Sequence, residues 1–216
     1  MSRLIWLLLA GFMLTGCKST RDAIYYDTMS FFGQEKRDIL VDRVDDARDS
    51  QADAKEEFAS ALDQFQSVVE FDGGNLEKTY RKLESAFEDS EEQAGDVRER
   101  INEVEDVAQA LFDEWRAELN QFTDASLRRS SEQQLRETER QYDALILTMR
   151  RTESKMDPVL NAFRDQVLYL KHNLNARAIS SLEDTAAELE TDVAALIEDM
   201  ERSIAEADAF ITEIRG

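Results

Sequence analysis

The sequence predicts an all-α protein: an elongated, antiparallel up-down-up-down four-helix bundle with coiled-coil-like seams. Three observations point there. From residue 34 onward, apolar residues recur at intervals of three and four almost without interruption, the spacing of one buried helix face. Alternating runs bounded by turns, the mark of strands, are missing, and one proline and seven glycines leave little material for loops. The seams break at three short polar stretches, which divide them into four helical spans.

The first span carries Leu40, Val44, Ala47, Gln51, Ala54, Phe58, Ala61, Phe65 and Val68 on one face. Phe71-Asp72-Gly73-Gly74-Asn75 ends it, because paired glycines weaken helix and supply turn conformations. Asn75 suits the N-cap of the next helix. The second seam runs from Leu76 through Tyr80, Phe87, Ile101, Trp115 and Leu119 to Phe122, with Gly95 as a weak point beside it. Thr123-Asp124-Ala125-Ser126 reads as a turn with Ser126 a candidate cap. The third seam runs from Leu135 through Tyr142, Met149, Met156 and Phe163 to Leu174. It crosses Asp157-Pro158, and its phase survives the proline, which favours a kinked continuous helix over two helices. His172-Asn173-Leu174-Asn175 is the next corner. The last seam uses Leu182, Leu189, Val193, Met200, Ala207 and Ile211.

At 1.5 Å per residue, the outer pair of helices spans about 55 Å and the inner pair about 70 Å. Matched pairs suit the four-helix topology, with the Phe122–Arg129 tip at the same end as the N-terminus. A three-helix, spectrin-like bundle broken at Pro158 is the alternative.

Three segments precede or make up this architecture. Residues 1–16 read as a lipoprotein signal peptide, residues 17–33 as a lipidated tether with an aromatic patch, and residues 34–216 as the helical bundle domain. Arg3 supplies a positive start and Leu4 to Met13 a short apolar run, too short for a spanning helix, which needs about 20 residues. Leu14-Thr15-Gly16-Cys17 then matches the lipobox of bacterial lipoprotein precursors, with Cys17 as the acyl acceptor. Ile24, Tyr25, Tyr26, Met29, Phe31 and Phe32 crowd the tether, and Gly33 is expected to stop any helix there. Lys18 after Cys17 fits outer-membrane sorting on the periplasmic face; the inner membrane is the alternative.

Charge narrows the function. With 47 acidic against 26 basic residues, the net charge is −21, which repels nucleic acid and anionic lipid surfaces. Nucleic-acid binding is therefore excluded, and membrane attachment falls to acyl chains. Cys17 is the single cysteine, so once it is lipidated no disulfide, thiolate nucleophile or cysteine metal site is available.

Candidate chemistry is sparse. A di-iron bundle needs inward glutamates and Glu-x-x-His pairs, but the single histidine, His172, has Tyr169 three positions before it. Paired acids such as Glu56-Glu57 and Glu91-Glu92 fall mostly between seam positions, as solvated faces do. No phosphate-binding glycine loop, GxSxG or HExxH is present. The expectation is a non-catalytic protein with no cofactor and no metal site. One local oddity is Leu127-Arg128-Arg129, a basic pair at a turn of an acidic chain. Arg128 and Arg129 are a candidate contact patch, because the guanidinium fork suits phosphate and carboxylate alike.

Two longer motifs carry a resemblance: Glu35-Lys36-Arg37-Asp38-Ile39-Leu40-Val41-Asp42-Arg43-Val44 with Ala47-Arg48 and Gln51, and Asp165-Gln166-Val167-Leu168-Tyr169-Leu170-Lys171-His172-Asn173-Leu174-Asn175-Ala176. They resemble a family of uncharacterised Gram-negative proteins, largely lipoproteins, classed as a domain of unknown function. The resemblance implies an envelope location and brings no activity or site residues. The expected function is that of a lipid-anchored periplasmic scaffold or adaptor with an envelope protein as partner; self-association is a further option. The alternative is a binding protein for an apolar ligand held in the bundle core.

Overall fold

The computed structural model describes the backbone of residues 18–215 and, apart from residues 176 and 184, the side chains from residue 36 onward. Cys17 and the signal segment lie outside the described residues. Among the described residues there are five helices and no strand: α1 (Lys18–Val69), α2 (Leu76–Leu119), α3 (Ala125–His172), α4 (Ala176–Ser180) and α5 (Glu183–Arg215). No helix of the described chain is long and apolar enough to cross a membrane.

The seams became the core. Leu40, Val44, Ala47, Gln51, Ala54, Phe58, Ala61, Phe65 and Val68 of α1 are all fully buried. Each helix also buries side chains outside its expected row, among them Val41, Ala86, Phe112, Val159 and Phe210. A helix packed by two neighbours buries an arc wider than one seam. The long helices form a ring: α1 packs against α2 and α5, and α3 packs against the same two. That places α1 and α3 diagonally across the core.

Three turns are built by side-chain caps. Gly73 and Gly74 have φ of 148° and 109°, values that a residue with a Cβ rarely adopts, so the first turn requires them. Asn75 then accepts from Lys78 N–H at 3.0 Å, as its type suggests. At the second turn the cap is Asp124 and not Ser126: its Oδ1 accepts from Ser126 N–H at 2.7 Å and Leu127 N–H at 3.2 Å. A carboxylate is the better acceptor at the positive end of a helix. Asn175 caps α4 through Arg177 and Ala178 N–H, both at 3.1 Å.

Three expectations need correction. The helix runs through Gly33, since α1 begins at Lys18; one glycine weakens a helix by only about 1 kcal/mol relative to alanine. Consequently the outer helices are not matched in length: α1 spans 52 residues and α5 only 33. The final span is also interrupted at Ser181-Leu182, where Ser181 N–H bonds to Ala178 C=O and Leu182 N–H to Ile179 C=O in tight turns. Pro158, by contrast, sits inside one continuous α3, so the chain is not split there and the three-helix alternative loses its break point.

Candidate functional site

The expected basic tip stands at the start of α3, where Arg128 and Arg129 are both exposed. Arg128 Nε donates to Glu132 Oε1 at 2.9 Å, one helical turn on. Arg129 makes no ion pair with a described residue and acts on Asp124 through its field. The Asp124 carboxyl is held below its usual range, first by the Ser126 hydroxyl, then by the two backbone N–H groups, with Arg129 adding to them. Half of the patch is thus committed to its own helix, and the remaining guanidinium is open to solvent.

The sequence reading missed a ladder of charges between α2 and α3. Lys171 reaches Glu84, Arg164 reaches Glu91, Arg98 reaches Asp157, and Arg150 reaches Glu105. The positions on α2 rise by sevens while those on α3 fall by sevens. The two helices therefore run in opposite directions, in a register fixed at every second turn. Arg98 also donates to Glu153 at 2.8 Å, and Arg116 to Glu139 at 2.6 Å. Exposed pairs contribute about 0–1 kcal/mol each, so the ladder selects register more than it stabilises. Its signal was present in the sequence as Glu84, Glu91, Arg98 and Glu105.

A second feature, read only in part from the sequence, is a band of buried polar side chains across the bundle. Ser50 and Gln51 on α1, Ser90 on α2, Thr152 on α3, and Asp199 and Ser203 on α5 are all buried. Most find partners. Ser50 receives a hydrogen bond from the Gln93 amide at 3.2 Å, Ser90 Oγ donates to Ala86 C=O at 2.8 Å, and Thr152 Oγ1 donates to Asp199 C=O at 3.3 Å. Asp199 is clasped by Lys155 and by Arg202, the latter at 2.7 Å. The Lys155 ammonium, first of all, holds the Asp199 carboxyl below its usual range against the opposing effect of burial. Gln51 and Ser203 differ: neither the amide nor the hydroxyl has a hydrogen-bond partner among the described residues. Gln51 could be seen on the seam in sequence, whereas Asp199 and Ser203 lie off the expected row.

The remaining candidates do not converge on a reaction centre. His172 is exposed at the C-terminal end of α3. Among the described residues no group of three or more His, Cys, Asp or Glu could hold a metal ion. A surface groove between α2 and the end of α3 is lined by Tyr80, Glu84, Glu88, Lys171 and Leu174. Burial pushes the Tyr80 phenol up to about 12, and its 2.9 Å hydrogen bond to Glu84 adds to this, so it remains a neutral donor. Trp115 is half-buried, with its Nε1–H donating to Ser131 Oγ at 2.8 Å and the Arg37 guanidinium 5.4 Å above its ring.

Compared with known proteins, residues 25–214 match a family described as "Protein of unknown function (DUF2959)". No curated protein matches the chain.

Proposed function

Since the chain belongs to the DUF2959 family, whose function is not known, we propose a role from its own architecture: a non-catalytic, lipid-anchored scaffold or adaptor in the Gram-negative cell envelope. In this reading the helices form an antiparallel up-down-up-down four-helix bundle, with α4 and α5 together making the fourth arm. The ring of contacts α1–α2–α3–α5 supports that topology. Leu14-Thr15-Gly16-Cys17 supports the anchor, with acyl chains on Cys17 holding the protein to the periplasmic face of the outer membrane.

The observation that carries the scaffold reading is how the polar side chains are used. Arginines and lysines join one helix to the next, as Arg98, Arg150 and Arg164 do between α2 and α3. The inward carboxylate Asp199 is neutralised by two cations. These groups fix the register of a long rod. A rod offers surface, and its partners are expected on its outer faces. The test is cross-linking in living cells with a photoreactive residue at outward positions of each helix, followed by mass spectrometry. Scaffold function gives a discrete envelope neighbour at one face. Adducts only with scattered abundant proteins at every face would overturn it.

A further inference from the structure

The four outer faces of the bundle are not alike. Among the described residues, four of the five exposed large apolar side chains belong to α3: Leu127, Leu147, Leu168 and Tyr169. The outermost row of α3, taken at helical spacing from Arg129 to His172, holds two carboxylates, Asp143 and Asp165, against the exposed bases Arg129, Arg136, Arg140 and Arg151. Arg129, Arg136 and Arg151 project from it, exposed and without an ion pair to any described residue. Leu147, at 70 % exposure, sits between Arg136 and Arg151.

The diagonally opposite helix shows the reverse. The outermost row of α1 from Asp42 to Asp63 holds six carboxylates and no base, with Ser60 the one uncharged member. Asp42, Asp53, Glu56 and Asp63 have no ion-pair partner among the described residues. Arg129 to Arg151 spans about 33 Å along one helix, and Asp42 to Asp63 about 32 Å along the other. The two stretches are therefore opposite in charge and matched in length, and the pairs Arg43–Glu103 and Arg150–Glu105 set the acidic row of α1 one stretch further along the bundle axis than the basic row of α3.

We propose that these two faces meet between copies: the basic and apolar outer face of α3 docks on the acidic outer face of α1 in a second molecule. Because α1 and α3 lie on opposite sides of one bundle, the contact is head-to-tail. Each docked copy presents a fresh face, displaced along the bundle axis, and the assembly grows as an open staggered row. The net charge of −21 opposes association at long range. At physiological ionic strength that repulsion is screened beyond about 8 Å, which leaves the contact pairs and Leu147 to decide. Facing charges of opposite sign also fix the partner face, since α3 against α3 places arginines together. None of this depends on the lipid anchor.

The test uses the full chain with Leu147→Cys on α3 and Asp53→Cys on α1, treated with a short bis-maleimide at physiological salt. Within one molecule the two thiols lie on opposite sides of the bundle, so a bridge between them joins two copies. The expected product of the double variant is a ladder of dimers, trimers and higher species. Each single variant alone gives no ladder, and a mixture of the two gives dimers. The parent chain, with Cys17 alone, sets the background. Adding Arg136→Glu and Arg151→Glu should lower the cross-linked fraction about tenfold. Mixing that variant with Asp53→Lys, Glu56→Lys chains should restore it. Monomer only at tens of micromolar, or a ladder indifferent to the arginine reversals, would overturn the contact. So would capture of the α3 face on phosphatidylglycerol vesicles without a ladder, which would assign that face to a lipid surface.

Discussion

Replacing Gln51 with leucine should stabilise the protein. The side chain is fully buried, and neither amide atom has a hydrogen-bond partner among the described residues. An unsatisfied buried polar group costs about 1–3 kcal/mol, and the leucine that replaces it is of similar length and flanked by Ala47 and Ala54 on the same seam. The gain is expected at about 1–2 kcal/mol, since the branched methyls of leucine do not trace the amide and some packing is lost. For a chain of this size that is roughly 2–8 °C in Tm. Thermal unfolding followed by circular dichroism measures it, with urea unfolding at constant m-value as the check that the native state is unchanged. A loss of about 1 kcal/mol or more would refute the reasoning, because it would mean that the amide is satisfied in solution. A stable variant that loses its register, seen as a changed hydrodynamic radius, would show that Gln51 selects the alignment of α1, the best-attested use of a buried polar residue in helical assemblies.

Four further outcomes follow from the same structure. Gly95 is an exposed helical glycine whose added Cβ would meet nothing within 4 Å, so Gly95→Ala should raise stability by about 0.5–1 kcal/mol in urea unfolding. Pro158 is also exposed inside continuous α3, and Pro158→Ala should raise it by up to about 3 kcal/mol; a loss would mean that the packing of Val159 and Leu160 needs a bend there. The Asp199 carboxyl is depressed by Lys155 and Arg202, so its contribution is present above the unfolded carboxylate value of about 3.9 and is lost as pH falls through the lower folded value. Asp199→Asn should therefore be less stable at neutral pH and lose less between about pH 5 and pH 2, as read from urea midpoints across that range. Reversing Arg128 and Arg129 to glutamate should change stability by less than about 1 kcal/mol, and a partner at the tip would show itself as lost cross-links in cells.

Periodicity made the helices legible because burial follows it: the three-and-four rows of Leu, Val, Phe and Met are the residues now at the core. Turn chemistry was legible at Gly73-Gly74-Asn75 for the same reason, since positive φ and a capping amide are properties of those residue types. The start of α1 was not. Gly33 looks like a stop in isolation, but a helix of 52 residues absorbs it. The break at Ser181-Leu182 carries no glycine or proline to mark it, and apolar residues are buried before and within it, Ile179 and Leu182. Part of the buried band was hidden for a different reason. Asp199 and Ser203 sit on a second buried row that exists only because two neighbours flank α5. Heptads of opposite charge could have revealed the α2–α3 ladder, had the two spans been compared in reverse order.

The anchor itself is best tested on the intact mass of the protein isolated from membranes of the cells that make it. Lipid anchoring requires a chain that begins at Cys17 and carries acyl and diacylglycerol groups on that residue, and a Cys17→Ala precursor that stays unprocessed. A mature chain with a free Cys17 thiol, or one that begins elsewhere and still fractionates with the membrane, would contradict it.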